Sequence, residues 1–534
     1  MQPTYKPSDD FTHRYKRAEQ YRDDIRPLIE NVYEFCAPDR VNEFHNNPKD
    51  HRRKPLDTTV FHGLGEEAAS DLGGDLVSFY TPSEQRWYSY LVTTPVPEDL
   101  VEAATELVTQ REEDVQDLLH ASNYSDISPQ WGFEAATHGT PAMWISQAHM
   151  QQPIHVEVVP PSELLITPGH LGILDRFREQ VVYTRTLPAL FDSMIRAGQV
   201  RLDDQQLQMR IQKPADTCKV CWGFWLDWED PARPMWHCEI TVDKKCVSAK
   251  DEREHGSFIL GDISGSCPLQ VGRFNPRPGL PWGRGAGIKI LADMRVLDKI
   301  SESVLLGLED AISNTLIYPD DSFLDLSDGL EAGRAYPASR NFTRDQIFEL
   351  SKNTNIDVGF FTQEQLERKI REGFYQDGPR QRGDTPPSAT QWLDEARRVQ
   401  QRLGKPSAPL WSELISPMMQ RFEYLGIQSG RLQGQISLDG EAISIQAITP
   451  LQKAQNRDMI MTARSNLDLA MTSMGPEGAM QIIEPIQTFK NVVRASGDTL
   501  TVIRDKQEPS VEQPAQAPQT AAAPQGQGPG PQVS

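Results

Sequence analysis

Six cysteines in 534 residues are too few for a disulfide scaffold, so they read as reduced thiols. No apolar run approaches the ~20 residues that a membrane-spanning helix needs. The opening Met1-Gln2-Pro3-Thr4-Tyr5-Lys6 has no short apolar core of a secretory leader, so the chain is expected to stay in the cytoplasm, away from membranes. Basic charge is also scarce: 54 basic residues face 75 acidic ones, for a net charge of −21. A protein that grips DNA by neutralising phosphates carries a basic surface. The balance therefore disfavours a tight nucleic-acid binder, while a wall that DNA slides past stays open. Catalytic signatures are missing too: there is no G-x-S-x-G, no H-E-x-x-H, and no Gly-Lys followed by Ser or Thr. The acidic pair Asp320-Asp321 could hold Mg²⁺, but 75 acidic residues make chance pairs routine.

What is present is ordinary globular material, 38% hydrophobic and 24% charged, long enough for about three domains and without an internal repeat. The N-terminal third is helical in pattern. Tyr15, Ala18, Ile25, Leu28, Val32 and Phe35 recur at helical spacing, with Pro27 expected to kink or restart the helix. Asp57-Thr58-Thr59 offers caps for a second helix through Ala68, Leu72, Leu76 and Phe79, ending at Pro82. A third runs from Leu100 to Leu119. From about Met143 the pattern turns strand-like, as in Ile154 to Val158 and Val181 to Tyr183. Val220 to Asp227 and Met235 to Val242 predict a hairpin turning through Glu229-Asp230-Pro231.

The longest clean helical stripe begins after Gly283-Arg284-Gly285-Ala286-Gly287. It runs through Leu291, Met294, Leu297, Val304, Leu308, Ala311 and Thr315 toward Pro319. So narrow a stripe on so long a helix suits packing against neighbouring long helices. A β-rich insert follows, with Asp328-Gly329 as a turn and Ile356 to Phe361 as a strand, and then a helix from about Thr362 to Tyr375. Residues 377–387 form a Gly- and Pro-rich loop. Ser388 and Gln391 cap the next helix, which is expected to break at Gly404-Lys405-Pro406 and kink at Pro417. Short strands from Ile443 to Ile448 and a helix from about Pro450 come next. The stretch from Glu508, rich in Pro, Gln, Ala and Gly, is expected to be disordered.

Three constellations carry candidate chemistry. Cys218, Cys221, His237 and Cys238, with Cys246 nearby, have the residue types of a zinc site. A zinc knuckle needs its CxxC to turn, whereas this one lies in a strand-like run. Counted from the hairpin turn, Cys221 falls about opposite Cys238, so buried thiols on neighbouring strands are the preferred reading and no metal is expected. The glycine-rich 283–287 stretch could hold a phosphate at a helix N-terminus, but it matches no nucleotide-binding pattern and reads better as a close-packed helix entry. Basic residues cluster at Lys49, His51, Arg52, Arg53 and Lys54, read as a solvated loop, and again at Arg380 and Arg382 between two helices.

The order of these parts resembles the portal, or head-to-tail connector, proteins of short-tailed phages. The matching stretches are Asp57-Thr58-Thr59, Leu72 to Tyr88, His138-Gly139-Thr140, Cys267-Pro268 through Gly283-Arg284-Gly285, Pro387 to Gln391, and Ile448-Thr449-Pro450-Leu451. The resemblance implies an α+β, mostly helical fold. Residues 1–285 would form N-terminal helices and an α/β wing, 286–317 and 362–376 a two-helix stem, and 318–361 a β-rich clip. Residues 377–388 would be a tunnel loop carrying Arg380 and Arg382, 389–429 a kinked long helix, 430–505 a C-terminal wing and crown, and 506–534 a disordered tail. It also implies a ring of twelve that passes double-stranded DNA without sequence preference, and partners that include terminase, scaffolding and capsid proteins, then adaptor and tail proteins. No catalytic residue or cofactor is implied. A metal-dependent nucleic-acid enzyme and a different virion structural protein are the alternatives.

Overall fold

The computed structural model describes residues 5–40, 43–45, 60–82, 87–88, 90–92, 101–147, 154–170, 172–213, 215–228, 230, 234–250, 254–262, 265–312, 316–317, 348–349, 356–376, 402–434, 437–438, 441–442, 445–447, 460–473, 475 and 488–489. The chain divides into two units, Met1–Gln452 and Lys453–Ser534.

The first unit opens with helix α1, Asp9–Cys36, capped by Ser8, whose Oγ accepts from the Phe11 N–H at 3.1 Å. The helix runs through Pro27 without restarting. The ring strands only the carbonyl of Asp23, which lies on the solvent side where water can satisfy it. Buried Ala18 on one side and Ile29, Val32 and Tyr33 on the other hold the axis. Helix α2, Leu64–Tyr80, begins after Gly63, and the expected caps at 57–59 lie outside the described residues. Strand β1, Tyr90–Val92, and helix α3, Val101–His120, follow. Helix α4, Tyr124–Thr137, crosses α2 at Gly73 and Gly132, where a Cβ on Gly73 would stand 2.7 Å from the Phe133 nitrogen. No stripe in the sequence had singled out α4.

Two antiparallel sheets come next. β2 (Ala142–Gln147) lies between β3 (Ile154–Val158) and β10 (Leu269–Val271). The larger sheet orders β4 (Leu164–Gly169), β5 (Gly172–Tyr183), β6 (Thr217–Asp227), β7 (Met235–Val242) and β8 (Lys245–Cys246), with β9 (Phe258–Asp262) also on β7. The predicted β6–β7 hairpin forms, with Asp227 opposite Met235.

Helix α5, Ala286–Ile312, is about 40 Å long at 1.5 Å per residue. It ends before the expected 317, because Leu316–Ile317 (β11) instead pairs with Phe348–Glu349 (β12) at the base of the insert. Helix α6, Ile356–Gly373, starts where a strand was expected over 356–361. A short apolar run does not by itself separate the two periods, and this one continues the helical spacing of Leu366, Ile370 and Phe374. α5 and α6 pack together, with Ile370 and Phe374 joining Leu291, Met294 and Leu297 in a core shared with α2 and α4.

Helix α7 covers residues 402–428. The expected break at 404–406 is absent. The irregularity is a π-turn at Trp411–Ile415, where the Ser416 N–H reaches back five residues to the Trp411 carbonyl. Pro417 explains it: an α-helical turn would drive its ring into the Glu413 carbonyl, and the wider turn relieves this. Strands Ser437–Leu438 (β13) and Glu441–Ala442 (β14) pair with each other, and Ile445–Ala447 (β15) pairs with β1. In the second unit, residues 460–473 are helical. The expected helix start at Pro450 and the tail from 506 lie outside the described residues, as does the Asp328-Gly329 turn.

Candidate functional site

Two of the sequence motifs, far apart in the chain, meet backbone to backbone. His138-Gly139-Thr140 ends α4, and Gly283-Arg284-Gly285 leads into α5. Gly283 N–H donates to Thr140 Oγ1 at 2.9 Å, Phe274 N–H to the Gly139 carbonyl at 2.8 Å, and Arg284 N–H to the Phe274 carbonyl at 2.8 Å. A Cβ on Gly139 would stand 2.7 Å from the Arg284 carbonyl carbon, and Gly139 holds φ +88°. The glycine stretch is thus a close-packed helix entry.

A buried polar network fixes this crossing. Glu134, on the last turn of α4, accepts from Tyr33 Oη at 2.6 Å, from His138 Nε2 at 2.6 Å, and from Arg40. Thr140 N–H donates to His138 Nδ1 at 3.2 Å, which leaves the proton on Nε2 for Glu134. Arg40 also pairs with Glu43 at 2.8 Å. Burial pushes the Glu134 carboxyl up, but His138, Arg40 and Tyr33 outweigh it and hold it at about 2. Burial beside Glu134 drives the Tyr33 phenol well above its ordinary value. The network joins α1, α4 and the entry of α5. Sequence reasoning singled out His138 within its motif but missed Glu134, Tyr33 and Arg40; the four-residue spacing of Glu134 and His138 on one helix face was the available signal.

The α5–α6 pair presents a mixed outer surface. Val296, Leu305, Leu306 and Phe361 are exposed, Phe361 to 62%. Polar ties hold the pair in place: Lys369 Nζ meets Asp293 at 2.6 Å, and Asp298 Oδ1 accepts from Phe61 N–H at 2.6 Å and His62 N–H at 3.2 Å. His62 Nε2 reaches Glu367 at 3.1 Å, so the lead-in to α2 is bound to both helices.

The cysteine cluster is dispersed. Cys221 faces Thr241 rather than Cys238, which faces Phe224, because the connection is centred near Pro231 and the register moves by three. Cys218 and Cys238 join one side of the sheet with Trp222 and Phe224, while Cys221 joins Phe11 and Phe177 on the other. His237 lies by Asp227 at 3.4 Å. Burial pushes up the thiols of Cys218, Cys221 and Cys238. Among the described residues, no group of three or more His, Cys, Asp or Glu side chains is placed to hold a metal ion, and no helix is long and apolar enough to cross a membrane. Arg380, Arg382 and the basic cluster at 49–54 lie outside the described residues.

No curated protein matches the chain. Among solved structures, a chain from the neck of an empty GTA particle, computed with C6 symmetry, is 12% identical. It aligns over 79% of this chain and 89% of its own at a TM-score of 0.34, too loose a superposition to decide anything. The family comparison does decide: the model of the bacteriophage head to tail connecting protein matches residues 8–503. With nearly its whole length matched, a mostly helical α+β chain whose long helix is seated by two crossing glycine motifs belongs to the bacteriophage head-to-tail connector family, a structural family of the phage particle.

Proposed function

We propose that the chain is a portal subunit: twelve copies close into a ring at one capsid vertex, and double-stranded DNA passes through it during packaging and ejection. The observation that carries this reading is that Val296, Leu305, Leu306 and Phe361 stand exposed on two packed helices, on more than one side of α5. One copy leaves these side chains uncovered, and a ring, in which each copy has a neighbour on either side, covers them in every copy. α5 and α6 serve as the stem, the insert between them as the clip that receives terminase and later the adaptor and tail proteins, and residues 377–388 as the tunnel loop. Scaffolding and major capsid proteins surround the ring. The acidic balance suits a wall that does not hold phosphates, and the chain needs no cofactor and has no catalytic role.

Light scattering on the purified protein tests it. Twelve chains of 60.2 kDa give about 720 kDa as a cyclic assembly. The double change Val296→Glu and Leu306→Glu is expected to leave the subunit folded and to shift rings toward monomers, since it places like charges on a surface that must be covered. Wild-type protein that stays monomeric or dimeric across assembly conditions overturns the ring.

Arg380 and Arg382 are proposed to form a basic collar in an acidic tube and to touch the DNA backbone without reading sequence. Arg380→Glu with Arg382→Glu is expected to give normal rings and procapsids of unchanged thermal stability, but impaired packaging or retention of DNA. Misassembled rings would instead assign these side chains to stiffening the loop against Asp377 and Asp384. Full, stable heads would remove any role for them.

A further inference from the structure

Helix α5 carries positive charge outward. Over residues 286–301 its exposed charged side chains are Lys289, Arg295 and Lys299. The two carboxylates of that stretch are engaged within the subunit, Asp293 by Lys369 at 2.6 Å and Asp298 by the N–H groups of Phe61 and His62 at 2.6 and 3.2 Å. At about 100° per residue the three cations fall in an arc of roughly 120°, which also holds the exposed Val296 and Leu306. Glu302, at the margin, is tied to Lys299 at 2.5 Å. The face stays net positive in a chain of charge −21. Helix α3 is its counterpart. Glu106, Glu113 and Asp117 are exposed in a line along it, within about 40° of one another, and no base stands among them. Leu107 is exposed on their flank. α3 packs on α4, α7 and β1, whereas α5 packs on α1, α2, α4 and α6, so the two stripes belong to different patches of the subunit.

Two α5 faces set against each other would bring cations together, which disfavours a twofold contact through this surface. A phosphate backbone would neutralise the cations but leave Val296 and Leu306 wet. An acidic helix with an apolar flank answers both, and joining two different patches of identical subunits gives the head-to-tail contact that closes into rings. The lengths agree: Lys289 to Lys299 spans about 15 Å and Glu106 to Asp117 about 16 Å, with the middle charges about 9 and 10 Å along. We propose that the outer face of α5 docks on the acidic ridge of α3 on a second copy, a contact that presupposes the ring proposed above. Lys289, Arg295 and Lys299 meet the ridge, and their aliphatic stems help to cover Val296 and Leu306. Complementary charge sets which patches meet and in what register.

Charge reversal on the full-length protein, read by light scattering, tests the pairing. Arg295→Glu with Lys299→Glu, and separately Glu106→Lys with Asp117→Lys, are each expected to keep the wild-type melting temperature within a few degrees. Each is expected to raise the concentration needed for rings about tenfold or more. Mixed in equal amounts, the two variants are expected to form rings again, since each then offers the other an opposite charge at both patches. With wild type assembling, rings unchanged in either variant, or a mixture no better than its parts, overturns the pairing and leaves the ring standing. Intact rings that handle DNA poorly in the α5 variant also overturn it, and assign the face to nucleic acid. Wild type that never assembles removes the ring and the pairing together. Should a reversal fail to fold, the neutral pair Arg295→Gln with Lys299→Gln decides by the same shift in assembly.

Discussion

Gly139→Ala is expected to abolish soluble, folded protein, whereas Gly198→Ala is expected to cost only about 1 kcal/mol. Both glycines hold left-handed φ, +88° and +72°, so each alanine meets the same backbone penalty. They differ in what surrounds the new methyl. Nothing lies within 4 Å of a Cβ at 198, while at 139 it would fall on the backbone of Arg284 and Gly285. Backbone cannot rotate away as a side-chain tip does, so the 138–140 turn and the 283–285 strap would have to part. Parting them breaks the bonds of Gly283 to Thr140 and Phe274 to Gly139 and unseats α5 from the core it shares with α1, α2 and α4. The excess over the control is expected to be at least about 3 kcal/mol, read as soluble yield and protease resistance of the paired variants. Equal behaviour of the two would mean that the strap yields and that α5 is not set by this crossing.

The sequence made some of this legible, and the particular residues show why. Helices α1, α2, α3 and α5 announced themselves because an amphipathic stripe is written locally. α4 did not: it is buried on most sides, with Trp131, Gly132, Ala135 and Ala136 covered, so no polar face alternates with an apolar one. The β6–β7 hairpin was visible, but its register was not, since the seven-residue connection from 228 to 234 allows several centres, and the choice decided which cysteines face each other. Gly404-Lys405-Pro406 predicted a break in α7 and Pro417 a kink; 404–406 stay helical, and the irregularity lies at 411–415, ahead of Pro417. Within that turn Glu413 meets Arg273, a partner 140 residues away that no local rule names. Glycines at 139, 283 and 285 could be singled out as motifs, yet their meeting is a tertiary fact.

Glu134→Gln is expected to destabilise the first unit by about 3–5 kcal/mol, the range for breaking a buried ionic cluster from one side. The carboxylate accepts from three donors: Tyr33 Oη, His138 Nε2–H and Arg40. An amide of the same shape turns one acceptor into a donor and leaves the Arg40 guanidinium with Glu43 as its remaining carboxylate. Tyr33→Phe is the milder comparison, since it removes one donor and leaves Glu134 with the other two, at about 1–2 kcal/mol. The same cluster sets an acid response. Glu134 titrates near 2 in the folded protein against an ordinary value of 4.5, so the folded state favours the charged form by roughly 3 kcal/mol. Because its folded value is depressed, this contribution is complete above pH 4.5 and fades as pH falls toward 2. Urea unfolding followed across that window is therefore expected to show wild type losing its advantage over Glu134→Gln, the two curves converging at the acid end. Convergence near neutrality instead would place the titration on another group, and parallel curves down to pH 2 would show that packing, rather than the charge of Glu134, accounts for the loss.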